Sequence, residues 1–226
     1  MLRQKVVGLG VLATLLLLAA QVSASSLSDE RRARKKIELQ KVPYQAEEAV
    51  QQKDYDRAIE LFSKAIDSNA FTDEPHTLGR LYFGRGGAYH AKGDCPNAVP
   101  DYTKAAELTP KGDIYYSLAS CHVALQQEDA ALVDLNKAIE VDPDAALYRS
   151  ARCKLLFNKS DYAGAVPDCQ KAMAAMPKDA DLLIATGQSA EQTGNKALAA
   201  AAYRNLLAVD PGNQVATEGL QRLGER

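Results

Sequence analysis

Four cysteines (Cys95, Cys121, Cys153, Cys169) and three histidines (His76, His90, His122) are the side chains of this 226-residue chain best suited to redox, nucleophilic or metal chemistry. Each such chemistry needs its groups at a defined spacing. No two cysteines stand as Cys-x-x-Cys, so a thiol-redox centre is not indicated. No histidine lies in a His-Glu-x-x-His or Cys/His zinc pattern, so no metal or cofactor is expected. The segment GRGGAYHAKGD (84–94) is rich in glycine. A phosphate-cradling loop, however, follows a strand and opens a helix, whereas this segment runs at helical spacing into a turn. Asn158-Lys-Ser160 is a glycosylation sequon, relevant only in a eukaryote. The residues therefore predict a chain that is not an enzyme.

The elements carrying these residues begin after a leader. A basic start (Arg3, Lys5), a charge-free apolar stretch from Val6 to Ala20 and small residues up to Ala24 have the three parts of a secretory signal peptide, with cleavage expected after Ala24. The competing reading is an uncleaved anchor, because Val6 to Ala24 approaches the roughly 20 residues that span a bilayer. Without Arg3 and Lys5 the 27 basic residues fall to 25, against 29 acidic ones, which disfavours general nucleic-acid binding. Residues 25–38 hold the one basic cluster, Arg31, Arg32, Arg34, Lys35 and Lys36, read as a solvated segment. The expected location is the periplasm or outside the cell for a bacterium, or the endoplasmic reticulum lumen for a eukaryote. In such an oxidising compartment four cysteines allow three full pairings, among which spacing does not choose.

The body of the chain is periodic. Alanines recur at Ala58, Ala98, Ala131, Ala165 and Ala199, at spacings of 40, 33, 34 and 34. Four residues beyond each stands Phe62, Tyr102, Leu135, Cys169 or Tyr203, and Pro110, Pro143, Pro177 and Pro211 close the last four units. Upstream of each lies a second helical stretch whose small residues (Gly86, Ala119, Cys153, Gly187) face the alanines, so each unit is expected to be an antiparallel helix hairpin. In the unit at 79–111, Gly86 has a packing role, whereas Gly84 and Gly87 lack one and should loosen the helix. Pro100 and Pro167 occupy equivalent outward sites, and an irregular first turn is expected there, with helix resuming at Asp101 and Asp168.

Gly86, Tyr89, Ala98, Tyr102, Ala105 and Pro110 resemble the tetratricopeptide repeat motif over one 34-residue unit. The resemblance covers residues 39–211 in five units (39–78, 79–111, 112–145, 146–179, 180–212) and implies an all-α solenoid of hairpins stacked in a right-handed superhelix, closed by a capping helix within 213–226. Tryptophan is absent throughout, and the first unit lacks the closing proline. Segment 70–79 lengthens the first connection.

In that register Cys153 and Cys169 are two inward sites of the fourth unit and are expected to remain buried thiols, since their offset looks near a turn too long for a bond. Cys95 and Cys121, near one end of the stack, are the candidate disulfide. His122 takes a site where the family has tyrosine and is expected to be a packed ring. The family's first helices line a concave groove. Carried over, that places Arg80, Phe83, Gly87, His90, Tyr116, Ser120, Val123, Ser150, Lys154, Phe157, Ile184, Gln188 and Glu191 in it. The chaperone-tail-binding members hold a carboxylate there with Lys, Asn and Arg. Here Phe, Gly, Tyr and Ser occupy those places and only Arg80 and Lys154 are basic, so that clamp is not expected. The resemblance implies an exported protein-interaction module binding a peptide segment or scaffolding an envelope or secretory complex. The rival readings are a chaperone-like adaptor for unfolded chains and an accessory subunit of an envelope enzyme.

Overall fold

The computed structural model describes Glu30, Arg31, Arg34 and residues 37–225. The expected signal segment and much of the charged segment 25–38 lie outside the described residues. Ten helices form five hairpins: α1 (Val42–Gln51) with α2 (Tyr55–Asp67), α3 (Pro75–Ala91) with α4 (Cys95–Leu108), α5 (Gly112–Ala124) with α6 (Glu128–Val141), α7 (Ala146–Asn158) with α8 (Tyr162–Ala175), and α9 (Ala180–Gln192) with α10 (Lys196–Val209). A final helix, α11 (Gln214–Leu223), covers the end, burying Ala216, Gly219 and Leu220 while Gln214, Glu218, Gln221 and Arg222 stay wet. Among the described residues there is no strand, and no helix is long and apolar enough to cross a membrane.

Every hairpin turn is built alike. Lys53, Gly93, Gln126, Ser160 and Gly194 take left-handed φ, between 59° and 78°, and each directly precedes the N-cap of the second helix. The caps Asp54, Asp94, Asp161 and Asn195 accept the backbone N–H three residues on, filling one of the donors a helix start leaves open. The longer first spacing has two sources. Residues 68–74 form a loop that buries Phe71, and α3 runs 17 residues where α5, α7 and α9 each run 13.

Pro100 and Pro167 do not break their helices. Helix α4 is continuous from Cys95 and α8 from Tyr162, which corrects the expected irregular first turn. Each ring removes only the bond to the carbonyl four residues back, at Pro96 or Ala163. These residues, like the prolines themselves, lie on the solvent side, where water can take the orphaned oxygen.

Across each hairpin two core positions sixteen residues apart face each other: Ala46 and Phe62, Gly86 and Tyr102, Ala119 and Leu135, Cys153 and Cys169, Gly187 and Tyr203. Small against large is the rule. A Cβ added at Gly86 would stand 2.9 Å from the Tyr102 ring, and one at Gly187 would stand 2.4 Å from Tyr203. In the fourth hairpin two medium side chains share the space, and their Cα atoms lie 5.1 Å apart, within bridging range. Cys153 and Cys169 are disulfide-bonded, not the thiol pair expected; the small-residue contact cancels the offset along the helices. Cys95 and Cys121, the expected pair, are buried free thiols.

Gly84 also proves to be a packing residue, since an added Cβ would meet the Phe62 ring at 2.4 Å. Gly87 meets nothing closer than 3.9 Å. Gly87→Ala should therefore stabilise the fold by about 1 kcal/mol through helix propensity. Gly84→Ala should destabilise it by up to about 2 kcal/mol, because crowding outweighs the same propensity gain. Urea unfolding of both variants checks the opposite signs. Removing the bridge with Cys153→Ala and Cys169→Ala together should cost about 3 kcal/mol, the chain-entropy value for a loop of this length. Alkylation in denaturant without reductant should label Cys95 and Cys121 alone, and four labelled thiols would refute the bridge.

Candidate functional site

Successive first helices lie side by side, and pockets open between them. The first, about 320 Å³, lies between α1 and α3; Tyr44, Glu47 and Arg80 rim it and Phe62 and Phe71 line it. The second, about 220 Å³, lies between α5 and α7, lined by Tyr116, Ser120, Val123, Leu135 and Lys154 among others. The third, about 250 Å³, lies between α7 and α9 and is lined by Lys154, Phe157, Asn158, Asp181, Ile184 and Ala185. Lys154 thus belongs to two adjoining pockets.

Of the residues expected in the groove, Tyr116, Ser120, Val123 and Lys154 come together in the second pocket, and Lys154, Phe157 and Ile184 in the third. Arg80 stands apart at the first pocket. Phe83 and His90 are spent on the α4 ring of Tyr102, with ring centres 5.6 Å and 6.2 Å away. Gln188 is half-buried and lines none of these pockets. Ser150, expected in the groove, is buried. Glu191 serves the scaffold. Its carboxylate accepts Arg222 of α11 at 2.7 and 3.0 Å and the Tyr203 hydroxyl at 2.8 Å. The Arg222 guanidinium holds it below the ordinary carboxylate range against the opposing effect of burial.

Both groove cations already have carboxylate neighbours. Arg80 bonds Glu47 at 2.9 Å, and Lys154 bonds Asp179 at 3.2 Å. Asp179 also caps α9 through the Leu182 amide. Burial works against its ionisation, but the Leu182 amide and the Lys154 ammonium outweigh that and keep its carboxyl low. The Lys154–Asp179 pair is partly exposed, so an incoming carboxylate can share the ammonium at small cost.

Residue-by-residue reading missed a second series. Asp101, Asp134 and Asp168 stand three residues beyond the packing alanines and are buried. Arg85 donates to Asp101 through two nitrogens, each at 2.8 Å, and Arg149 and Arg152 converge on Asp168 at 2.5 to 3.2 Å. In the third hairpin Leu118 stands where those arginines would align, and His122 supplies the partner instead, with Nδ1 2.7 Å from Asp134. Burial pushes the Asp134 carboxyl up, partly offset by that contact. His122 is thus a packed ring that also pairs. The signal was available in the recurrence of Asp at these sites and of Arg sixteen residues before two of them.

Comparison with known proteins agrees with this architecture. Tetratricopeptide repeat models match residues 45–113 and 150–214, and another matches 112–145. The chain is 34% identical over 125 residues, 53% of its length, to human (Homo sapiens) tetratricopeptide repeat protein 13, covering 14% of that protein. It is 27% identical over 169 residues, 64% of its length, to the Hsp70-Hsp90 organizing protein of Triticum aestivum, covering 28% of it. The chain therefore spans under a third of these curated relatives. Among solved structures it superposes on YrrB, described as a TPR protein with an unusual peptide-binding site, at TM-score 0.66 and 20% identity over 80% of this chain and 90% of that one. It superposes on MamA at 0.65 and 20% identity over 80% and 97%. With the repeat models covering more than half of its residues and the hairpin stack described above, the chain belongs to the tetratricopeptide repeat family.

Proposed function

We propose that this chain is an exported, non-enzymatic interaction module that binds an extended protein segment along its first-helix face. One observation carries the reading. Two adjoining pockets with apolar walls, one holding Tyr116 and the other Phe157 and Ile184, share a single cation, Lys154. That spacing suits a peptide that places apolar side chains in successive pockets and a carboxylate between them. The pocket bounded by Arg80 and Phe71 extends the same face toward the first hairpin. Peptide binding by YrrB on the same fold supports the reading by analogy.

Support for export comes from the leader sequence and from the Cys153–Cys169 bridge, a bond that persists in oxidising compartments. The binding chemistry asks nothing of a nucleophile or cofactor, because shape and one charge suffice.

The test is cross-linked capture of partners from the organism that makes the chain, then titration of synthetic peptides from the captured protein. Tyr116→Ala should weaken binding about tenfold or more, as for a buried aromatic contact. Lys154→Glu should do the same for peptides bearing an acidic residue, with circular dichroism unchanged in both. Undiminished binding by both variants would overturn the groove assignment, and equal binding of unrelated apolar peptides would favour a holding chaperone instead. N-terminal sequencing of the native protein should begin at Ser25, and retention of residues 1–24 would contradict cleavage.

A further inference from the structure

His90, Cys95 and Cys121 come from three different helices, yet their ligand atoms all lie within 4.8 Å of one another. We infer that these three residues form a binding site for a thiophilic d10 cation, Zn(II) or Cu(I), spanning the second and third hairpins. The inference is independent of peptide binding.

The local fold brings the ligands together. His90 ends the last turn of α3, Cys95 opens α4, and the left-handed Gly93 between them turns the chain so sharply that both side chains reach the same point. Cys121, in α5, arrives from the next hairpin. Metal–sulfur bonds of about 2.3 Å and metal–nitrogen bonds of about 2.0–2.1 Å place ligand atoms roughly 3.6–4.0 Å apart in tetrahedral or trigonal geometry. Closing from 4.8 Å needs only small side-chain rotations. Cys121 is fully buried and Cys95 is 3% exposed, whereas His90 is half-buried and leaves one approach open.

The donor set decides the ion class. Two sulfurs and one imidazole, without a carboxylate, favour soft or borderline cations and disfavour magnesium and calcium. The imidazole also has outer partners. Its Nδ1 lies 3.3 Å from the Tyr102 hydroxyl and its Nε2 lies 3.4 Å from Ser120 Oγ. Whichever nitrogen takes the metal, the other keeps a hydroxyl that holds the ring's orientation. Binding releases the two thiol protons to solvent, and no oxidation or reduction takes place.

The test uses the purified protein, reduced and handled anaerobically. Titration with Co(II) as a spectroscopic stand-in for Zn(II) should give visible d–d bands and thiolate-to-cobalt charge transfer saturating at one equivalent. Cys95→Ser and Cys121→Ser should each weaken binding about 100-fold, and His90→Gln about tenfold. Replacing Cys153 and Cys169 together by alanine removes the two sulfurs outside the site and should leave the spectrum unchanged, while circular dichroism checks that every variant is folded. Competition of Cu(I) against bicinchoninate and of Zn(II) against a chromophoric chelator distinguishes the two ions. Absence of the bands, equal binding by Cys95→Ser, or a Cys95–Cys121 disulfide in protein isolated from its native compartment would each overturn the site.

Discussion

The distance between the two helices of each hairpin is the constraint on which the rest of this molecule depends. It is set by one facing pair, sixteen residues apart, in which a small side chain admits a large one or, in the fourth hairpin, two cysteines share the space. Tyr203 shows how little slack there is, because the Cβ positions of both Gly187 and Gly219 would fall within 2.4 Å of its ring. The same ring therefore sets the spacing of the last hairpin and seats α11. Close packing of this kind transmits size changes directly to backbone position, which is why glycine, not alanine, stands opposite the tyrosines.

How much of this was legible follows from what repeats and what does not. The recurring alanines, the closing prolines and the small residues facing them carry hairpin architecture openly, since each unit solves the same packing problem. The cysteine pairing was not legible, because axial offset between two helices depends on how closely they approach, to fractions of a turn. The prolines misled because a missing donor disturbs a helix only when its orphaned carbonyl lacks water, and exposure is a property of the stack. Both prolines stand in the same tetrapeptide, Ala98-Val99-Pro100-Asp101 and Ala165-Val166-Pro167-Asp168, and its informative residue is the aspartate, whose partner sits on the other helix. The His90, Cys95 and Cys121 cluster has no sequence signature, because its members converge only after two hairpins have stacked.

Charge is arranged differently on the two sides of the wall. Buried Asp101, Asp134 and Asp168 are each hydrogen-bonded to a side chain from the first helix of the same hairpin, so they fix geometry and would be costly to leave unpaired. The groove pairs of Arg80 with Glu47 and Lys154 with Asp179 are more exposed and so exchangeable. Removing one partner of a buried pair strands the other away from water, whereas an exposed pair leaves each member access to solvent. In the proposed binding mode, the aromatic walls beside Lys154 supply the discrimination that charge alone lacks.

The bridge in the fourth hairpin gives an otherwise uniform stack one unequal link. A solenoid held at both ends and pulled would lengthen by peeling hairpins apart, each residue releasing about 3.3–3.6 Å of contour. Between Cys153 and Cys169 the load passes through sulfur instead of through the chain, so the sixteen-residue separation withholds roughly 50 Å of extension. Under tension this hairpin would behave as a rigid bead on an extensible thread, and it lies where the two pockets that share Lys154 meet.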